Sequence, residues 1–131
     1  MGTIKVLIAE DETIVADILT KKLRQAGYDV VTTYDGNQAW EKINQEFPDI
    51  VLLDLTMPGL SGWQVMEKLR ENPPTKQWIP VIIVSAHQDI EHIQRSLTMQ
   101  AAHYLTKPCK TEDILQGIRT ALTLASMRTT P

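Results

Sequence analysis

The sequence predicts an α/β fold, a single (βα)5 domain built on a doubly wound, parallel, five-stranded sheet in the order 2-1-3-4-5. Three observations carry that expectation. Runs of β-branched and aliphatic residues alternate five times with segments whose apolar residues recur at helical spacings of three and four. Two of those runs, Ile50-Val51-Leu52-Leu53 and Val81-Ile82-Ile83-Val84, are apolar at every position, as in strands covered by helices on both faces. Finally, the connections are only a few residues long, and 131 residues fall short of the about 200 that a barrel of eight units takes, so the sheet is open.

The first strand is Ile4-Lys5-Val6-Leu7-Ile8-Ala9, halted by the acidic run Glu10-Asp11-Glu12. The helix after it carries Ile14, Val15, Ile18, Leu19 and Leu23 on the face expected to turn inward, and Gly27 stops it. Tyr28-Asp29-Val30-Val31-Thr32-Thr33 is the second strand. The second helix opens near Asp35-Gly36, turns Ala39, Trp40 and Ile43 inward, and ends before Pro48. The third strand delivers Asp54 to a turn marked by Pro58 and Gly59. Val65, Met66 and Leu69 mark the third helix, which Asn72-Pro73-Pro74 ends. Residues 80–86 hold the fourth strand, and Asp89 caps a fourth helix expected to bury Ile90, Ile93, Leu97 and Met99. His103-Tyr104-Leu105-Thr106 is the fifth strand, ending at Lys107-Pro108. Thr111-Glu112-Asp113 opens the last helix, whose inward face is Ile114, Leu115, Ile118, Ala121, Leu122 and Ala125. The domain is therefore expected over residues 1–125, with 126–131 a flexible tail or a linker stub.

At 43% hydrophobic and 22% charged the composition gives no case for disorder. A net charge of −3 supplies no basic face to neutralise phosphates, so direct nucleic-acid binding is not expected. No apolar run reaches the length of a membrane span, and the N-terminus lacks the parts of a signal peptide, so the chain is expected to stay in the cytoplasm. The single cysteine, Cys109, forms no intrachain disulfide and fits a reducing compartment. No nucleophile or redox motif surrounds it, so it is read as a partly buried thiol.

In a sheet of this order the ligand crevice lies where strands one and three end. Those ends carry Glu10, Asp11 and Asp54. Taken alone, Asp54 reads as a turn residue and Glu10-Asp11-Glu12 as an acidic helix start. Together they are three like charges whose repulsion is costly unless they share protons or bind a cation. Hard oxygen donors with room for water suit Mg²⁺, and no EF-hand loop argues for Ca²⁺. Strands four and five end at the same edge with Ser85, a hydroxyl, and Lys107, a cation. A carboxylate beside a metal, an ammonium and a hydroxyl is what aspartyl-phosphate chemistry requires.

On these residues the chain resembles the receiver domain of two-component response regulators, a flavodoxin-like fold. The resemblance covers roughly residues 4–125 and rests on Val6-Leu7-Ile8-Ala9-Glu10-Asp11-Glu12, Leu52-Leu53-Asp54-Leu55-Thr56-Met57-Pro58-Gly59-Leu60-Ser61-Gly62, Val84-Ser85-Ala86 and Tyr104-Leu105-Thr106-Lys107-Pro108. It implies that Asp54 accepts a phosphoryl group from a sensor histidine kinase or a phosphotransfer protein. It implies further that Asp11, Asp54 and the backbone carbonyl of Thr56 ligate Mg²⁺, with Glu10 acting through water. Ser85 and Tyr104 would follow the phosphoryl group and alter the face of the fourth helix, fifth strand and fifth helix, which a downstream protein or fused output domain reads. Such a domain assists its own phosphorylation and dephosphorylation without being a conventional enzyme. A homodimer through that face stays open, because Cys109 stands where one large dimerising subgroup has phenylalanine. Ala101-Ala102 and His103 also depart from the common pattern of Gly-Ala followed by an acidic residue, and Thr56 and His87 fall at variable positions that flank the phosphoryl site.

Two rival functions fit less well. A phosphatase of the haloacid dehalogenase kind places its nucleophile after the first strand in Asp-x-Asp, whereas Asp54-Leu55-Thr56 follows the third. A flavin carrier on the same fold needs a hydroxyl- and glycine-rich loop where Glu10-Asp11-Glu12 stands. His87, His92 and His103 show no metal-ligand spacing and are read as surface or boundary residues, and Trp40, Trp63 and Trp78 as packing or partner-face residues.

Overall fold

The computed structural model describes residues 2–129. Its elements, in chain order, are β1 (Lys5–Ala9), α1 (Thr13–Gln25), β2 (Asp29–Thr33), α2 (Gly36–Glu46), β3 (Ile50–Leu53), α3 (Gly62–Glu71), β4 (Val81–Ser85), α4 (Ile90–Thr98), β5 (His103–Thr106) and α5 (Thr111–Thr129). The strands form one parallel sheet in the order β2-β1-β3-β4-β5, as the sequence predicts. Because side chains alternate across a strand, β1 sends Leu7 and Ala9 to one face and Val6 and Ile8 to the other. The first face packs with Ala39 and Ile43 of α2 and Val65, Met66 and Leu69 of α3; the second packs with Leu23 of α1 and Ile114, Ile118 and Ala121 of α5. Val51, Leu53, Val81 and Ile83 join the first layer and Ile50, Leu52 and Ile82 the second, which is why β3 is apolar throughout and β4 is apolar as far as Ser85.

Caps and long-range contacts set the helix ends. Asp35, Ser61 and Asp89 each accept from a backbone N–H in the first turn of α2, α3 and α4, and Ser61 with Gln64 closes a full capping box. Arg70 of α3 donates to the carbonyls of Ile79, Met99 and Gln100, tying α3 to the approaches of β4 and β5. Burial and the nearby Arg128 push its pKa down to about 10, which leaves it charged at neutral pH. The turn before β5, where Ala101-Ala102 stand, is made by Gln100 at φ 64°, with Ala101 N–H donating to Ser96 and Ala102 N–H to Val81.

Three expectations are corrected. In α1 the buried residues are Ala16, Thr20 and Leu23, while Ile14, Val15 and Ile18 are exposed, at 74%, 38% and 52%. Small Ala16 lets the helix approach the sheet, and buried Thr20 is satisfied twice, by the Ala16 carbonyl and by the Thr32 hydroxyl, both at 2.7 Å. In α4 only Ser96 is buried, its hydroxyl donating to the Ile93 carbonyl, and Ile90 and Leu97 lie open to solvent. Lastly, α5 continues to Thr129 where a tail from Ser126 was expected; residues 130–131 lie outside the described range. The added turn has an anchor: Trp78 stacks between the guanidinium groups of Arg70, at 4.5 Å, and Arg128, at 4.2 Å.

The loop from β3 to α3 is shaped by one close approach. The Gly62 N–H donates to the Leu55 carbonyl at 3.0 Å, and a Cβ on Gly62 would fall 2.3 Å from the Asp54 carbonyl oxygen and 2.6 Å from Leu55 Cα. Those are backbone atoms, so they can give way only by moving the segment that carries Asp54. Gly62→Ala is therefore expected to cost about 1–3 kcal/mol. Urea denaturation checks this, with Gly2→Ala, whose Cβ meets nothing within 4 Å, as the neutral control.

Candidate functional site

Sheet register brings the predicted residues to one edge. Glu10 follows β1 and its N–H donates to the Thr33 carbonyl, while the Asp54 N–H donates to the Ala9 carbonyl, so the two acids leave neighbouring strands side by side. Both are buried. From β5, the Lys107 N–H donates to the Ser85 carbonyl at 2.7 Å, and the peptide from Lys107 to Pro108 is cis. Its ammonium donates to Glu10 Oε1 at 2.5 Å and to Asp54 Oδ2 at 3.4 Å. Burial works against the charged form of Lys107, but the Glu10 hydrogen bond and the fields of Asp54 and Glu10 outweigh it and hold its pKa above the ordinary lysine value.

Asp11 is exposed, yet Glu10, Asp11 and Asp54 each offer a carboxylate oxygen within 4.8 Å of the others. Three carboxylates against one ammonium leave two negative charges unmatched. All the donors are hard oxygens, one of them at the solvent edge, and that set fits a small hard divalent cation that keeps part of its water. Thr56 sits against Asp54, its N–H donating to Asp54 Oδ1 at 3.2 Å. Glu10 Oε2 is held in turn by the Glu12 N–H at 3.2 Å.

Ser85 is buried at the end of β4, and its hydroxyl accepts from the His87 N–H at 3.1 Å. Tyr104 donates its hydroxyl to the His87 carbonyl at 2.7 Å. Burial raises the Tyr104 pKa, a hydrogen bond with Ser85 opposes the shift, and Asp89 adds to it, so the phenol stays protonated and able to donate. The structure thus brings Glu10, Asp11, Asp54, Thr56 and Lys107 to one pocket and links Ser85 to Tyr104 through the backbone of His87.

Sequence reasoning missed two features. A cavity of about 490 Å³ opens between α1 and α5, lined by Glu10, Asp54 and Lys107 together with Val15, Ile18, Leu19, Pro108, Cys109 and Ile114. Its signal in the sequence is the apolar set Val15, Ile18 and Leu19 of α1, which helical spacing alone predicts to face inward. Burial and Asp113 raise the Cys109 pKa, with Lys107 opposing, so this wall residue is a neutral thiol. The other missed feature is a cluster of His87 and His92 around Asp89, while His103 lies apart beside Gly117.

Known proteins share this fold. The family model of the response regulator receiver domain matches residues 6–119. A CheY-like receiver domain protein from Methanospirillum hungatei JF-1 superposes with a TM-score of 0.88 at 26% identity, over 97% of this chain and 99% of that one. A Francisella response regulator receiver domain gives 0.83 at 30% identity over 98% and 100%. The BeF3-activated receiver domain of Klebsiella pneumoniae RstA gives 0.82 at 29% identity over 90% and 97%. Fold, strand-end chemistry and family match agree, and the chain belongs to the response regulator receiver domain family.

Proposed function

We propose that this domain is a phosphorylation switch in which Asp54 accepts a phosphoryl group from a sensor histidine kinase or a phosphotransfer protein. The observation that supports it most is the pocket itself: a buried carboxylate at the end of β3, flanked by Lys107 and by two further acids. An Asp54 oxygen attacks phosphorus, the bond from phosphorus to the donor nitrogen breaks, and that nitrogen keeps the electron pair and takes a proton. The residues that would hold Mg²⁺ are Asp11, Asp54 and the Thr56 carbonyl, with Glu10 behind them, and the ion would supply charge neutralisation for the phosphoryl oxygens. Lys107 turns from Glu10 toward an added oxygen, and the Ser85 hydroxyl donates to another once it leaves the His87 N–H. Loss of that contact loosens the β4 to α4 loop, which Tyr104 also holds. The exposed Ile90 and Leu97 of α4 and Leu124 and Met127 of α5 give a face for a downstream partner or output domain to read.

The phosphoryl donor has a docking surface beside the pocket. Exposed Val15 and Ile18 of α1 line the cavity that Asp54 also lines, Ile14 is exposed on the same helix, and an amphipathic helix of the donor laid there would carry its phosphohistidine to the carboxylate.

Incubation with Mg²⁺ and acetyl phosphate, followed by intact mass, is expected to add one phosphoryl group. Asp54→Asn should remove it, and Lys107→Ala should slow labelling by about 10²–10³-fold. Equal labelling of Asp54→Asn would refute the assignment. Ile14→Glu, on the exposed face of α1, is expected to slow transfer from the cognate kinase by at least about tenfold, a loss of about 1.4 kcal/mol in docking. Its labelling by acetyl phosphate should match wild type, and an equal loss with both donors would count against docking on α1.

A further inference from the structure

A second set of metal-ligand side chains lies at the opening of α4, outside the pocket described above. His87, in the loop after β4, and His92, in the first turn of α4, stack with ring centroids 4.1 Å apart and planes within 3°. Asp89 reaches both, its Oδ2 lying 2.6 Å from His92 Nδ1 and its Oδ1 4.0 Å from His87 Nδ1. One donor atom from each of the three falls within 4.8 Å of the others. Core packing does not account for this convergence, since His87 and Asp89 are exposed and His92 is half-buried. Capping of α4 accounts for the bond from the His92 N–H to Asp89 but not for the stacked imidazoles.

The donor chemistry differs from that of the acidic pocket. Two imidazole nitrogens and one carboxylate suit borderline divalent ions, Zn²⁺ foremost and Cu²⁺ or Ni²⁺ after it, whereas Mg²⁺ takes all-oxygen sets. Donors in a tetrahedral Zn²⁺ shell sit roughly 3.3 Å apart, so the two parallel imidazoles must rotate out of their stack to aim their in-plane lone pairs at one ion. All three have solvent to turn in. The geometry points to a site at which His87, Asp89 and His92, with solvent as the fourth ligand, bind one Zn²⁺-class ion and clamp the β4 to α4 loop.

The clamp has a consequence for signalling, which rests on the switch proposed above. His87 is the residue through which Ser85 and Tyr104 are joined, accepting from the Tyr104 hydroxyl and donating to the Ser85 hydroxyl. An ion that fixes His87 holds the loop in the arrangement described here, and so opposes the release of Ser85. Ion binding itself does not depend on that reading.

Isothermal titration of Zn²⁺ into the protein, with Mg²⁺ in excess, tests the site. One equivalent is expected to bind, weakened at least about tenfold in His92→Gln and in Asp89→Asn, which keeps the helix cap and loses the anionic ligand. His103→Gln and Asp54→Asn should bind as wild type does. No heat of binding at about 100 μM Zn²⁺, or binding that survives His92→Gln and disappears in Asp54→Asn, overturns the proposal. Trp63, whose ring lies 6.0 Å from that of His92, adds an optical readout: Cu²⁺ should quench its emission in wild type and not in His92→Gln. The coupling is read separately. Zn²⁺ should slow acetyl phosphate labelling of wild type and leave the rate of His92→Gln unchanged; equal slowing of both removes the clamp while the binding result stands.

Discussion

Glu10 and Asp54 are buried side by side at the ends of adjacent strands, and the rest of the molecule is arranged around keeping two such charges there. A carboxylate withdrawn from water costs several kcal/mol after relaxation, and a second one beside it adds repulsion. Lys107, brought in by β5, answers part of that cost, and it does so chiefly at Glu10, at 2.5 Å against 3.4 Å for Asp54. Asp54 is therefore the less neutralised of the pair. It is a carboxylate with unspent acceptor capacity, facing an ammonium that already has a partner.

That arrangement depends on backbone set far from it. The parallel register places the ends of β1 and β3 together, and the bond from Lys107 N–H to the Ser85 carbonyl fixes where β5 delivers its lysine. The close passage of Gly62 against the Asp54 and Leu55 backbone seats Asp54 from the other side. Core layers above and below hold the strands, so loop residues can carry chemistry on a rigid frame. The α1 face beside the pocket and the α4 and α5 faces beyond it keep large apolar residues in solvent, and in the proposed switch they would serve phosphoryl entry and signal output respectively.

Much of this was legible in the sequence. The unbroken aliphatic runs, their length and the short connections leave little room for another sheet order, and a strand end is easy to find where such a run meets Glu10, Asp54, Ser85 or Lys107. Helix faces were harder. Apolar residues can be exposed without penalty to the fold, so periodicity alone points to Ile14, Val15 and Ile18 of α1 where the buried residues are Ala16 and Thr20. The same reasoning misplaced Ile90 and Leu97 of α4. Thr20 is buried because Thr32 on another element completes its hydrogen bonding, and α5 extends because Arg128 meets Trp78; both partners are distant in sequence. The trio of His87, Asp89 and His92 escaped notice because the loop and the first turn of α4 bring together residues that no ligand spacing pairs in advance.

The central claim is that the strand ends carry negative charge in excess of what Lys107 neutralises, and that this excess is the basis of the chemistry. It is tested most directly by the melting temperature as a function of Mg²⁺ at constant ionic strength. The account predicts a rise for wild type, about 1.4 kcal/mol of added stability when Mg²⁺ stands at ten times its dissociation constant, and loss of most of that rise in Asp54→Asn. An equal shift from NaCl at matched ionic strength, or a full Mg²⁺ response in Asp54→Asn, would contradict it.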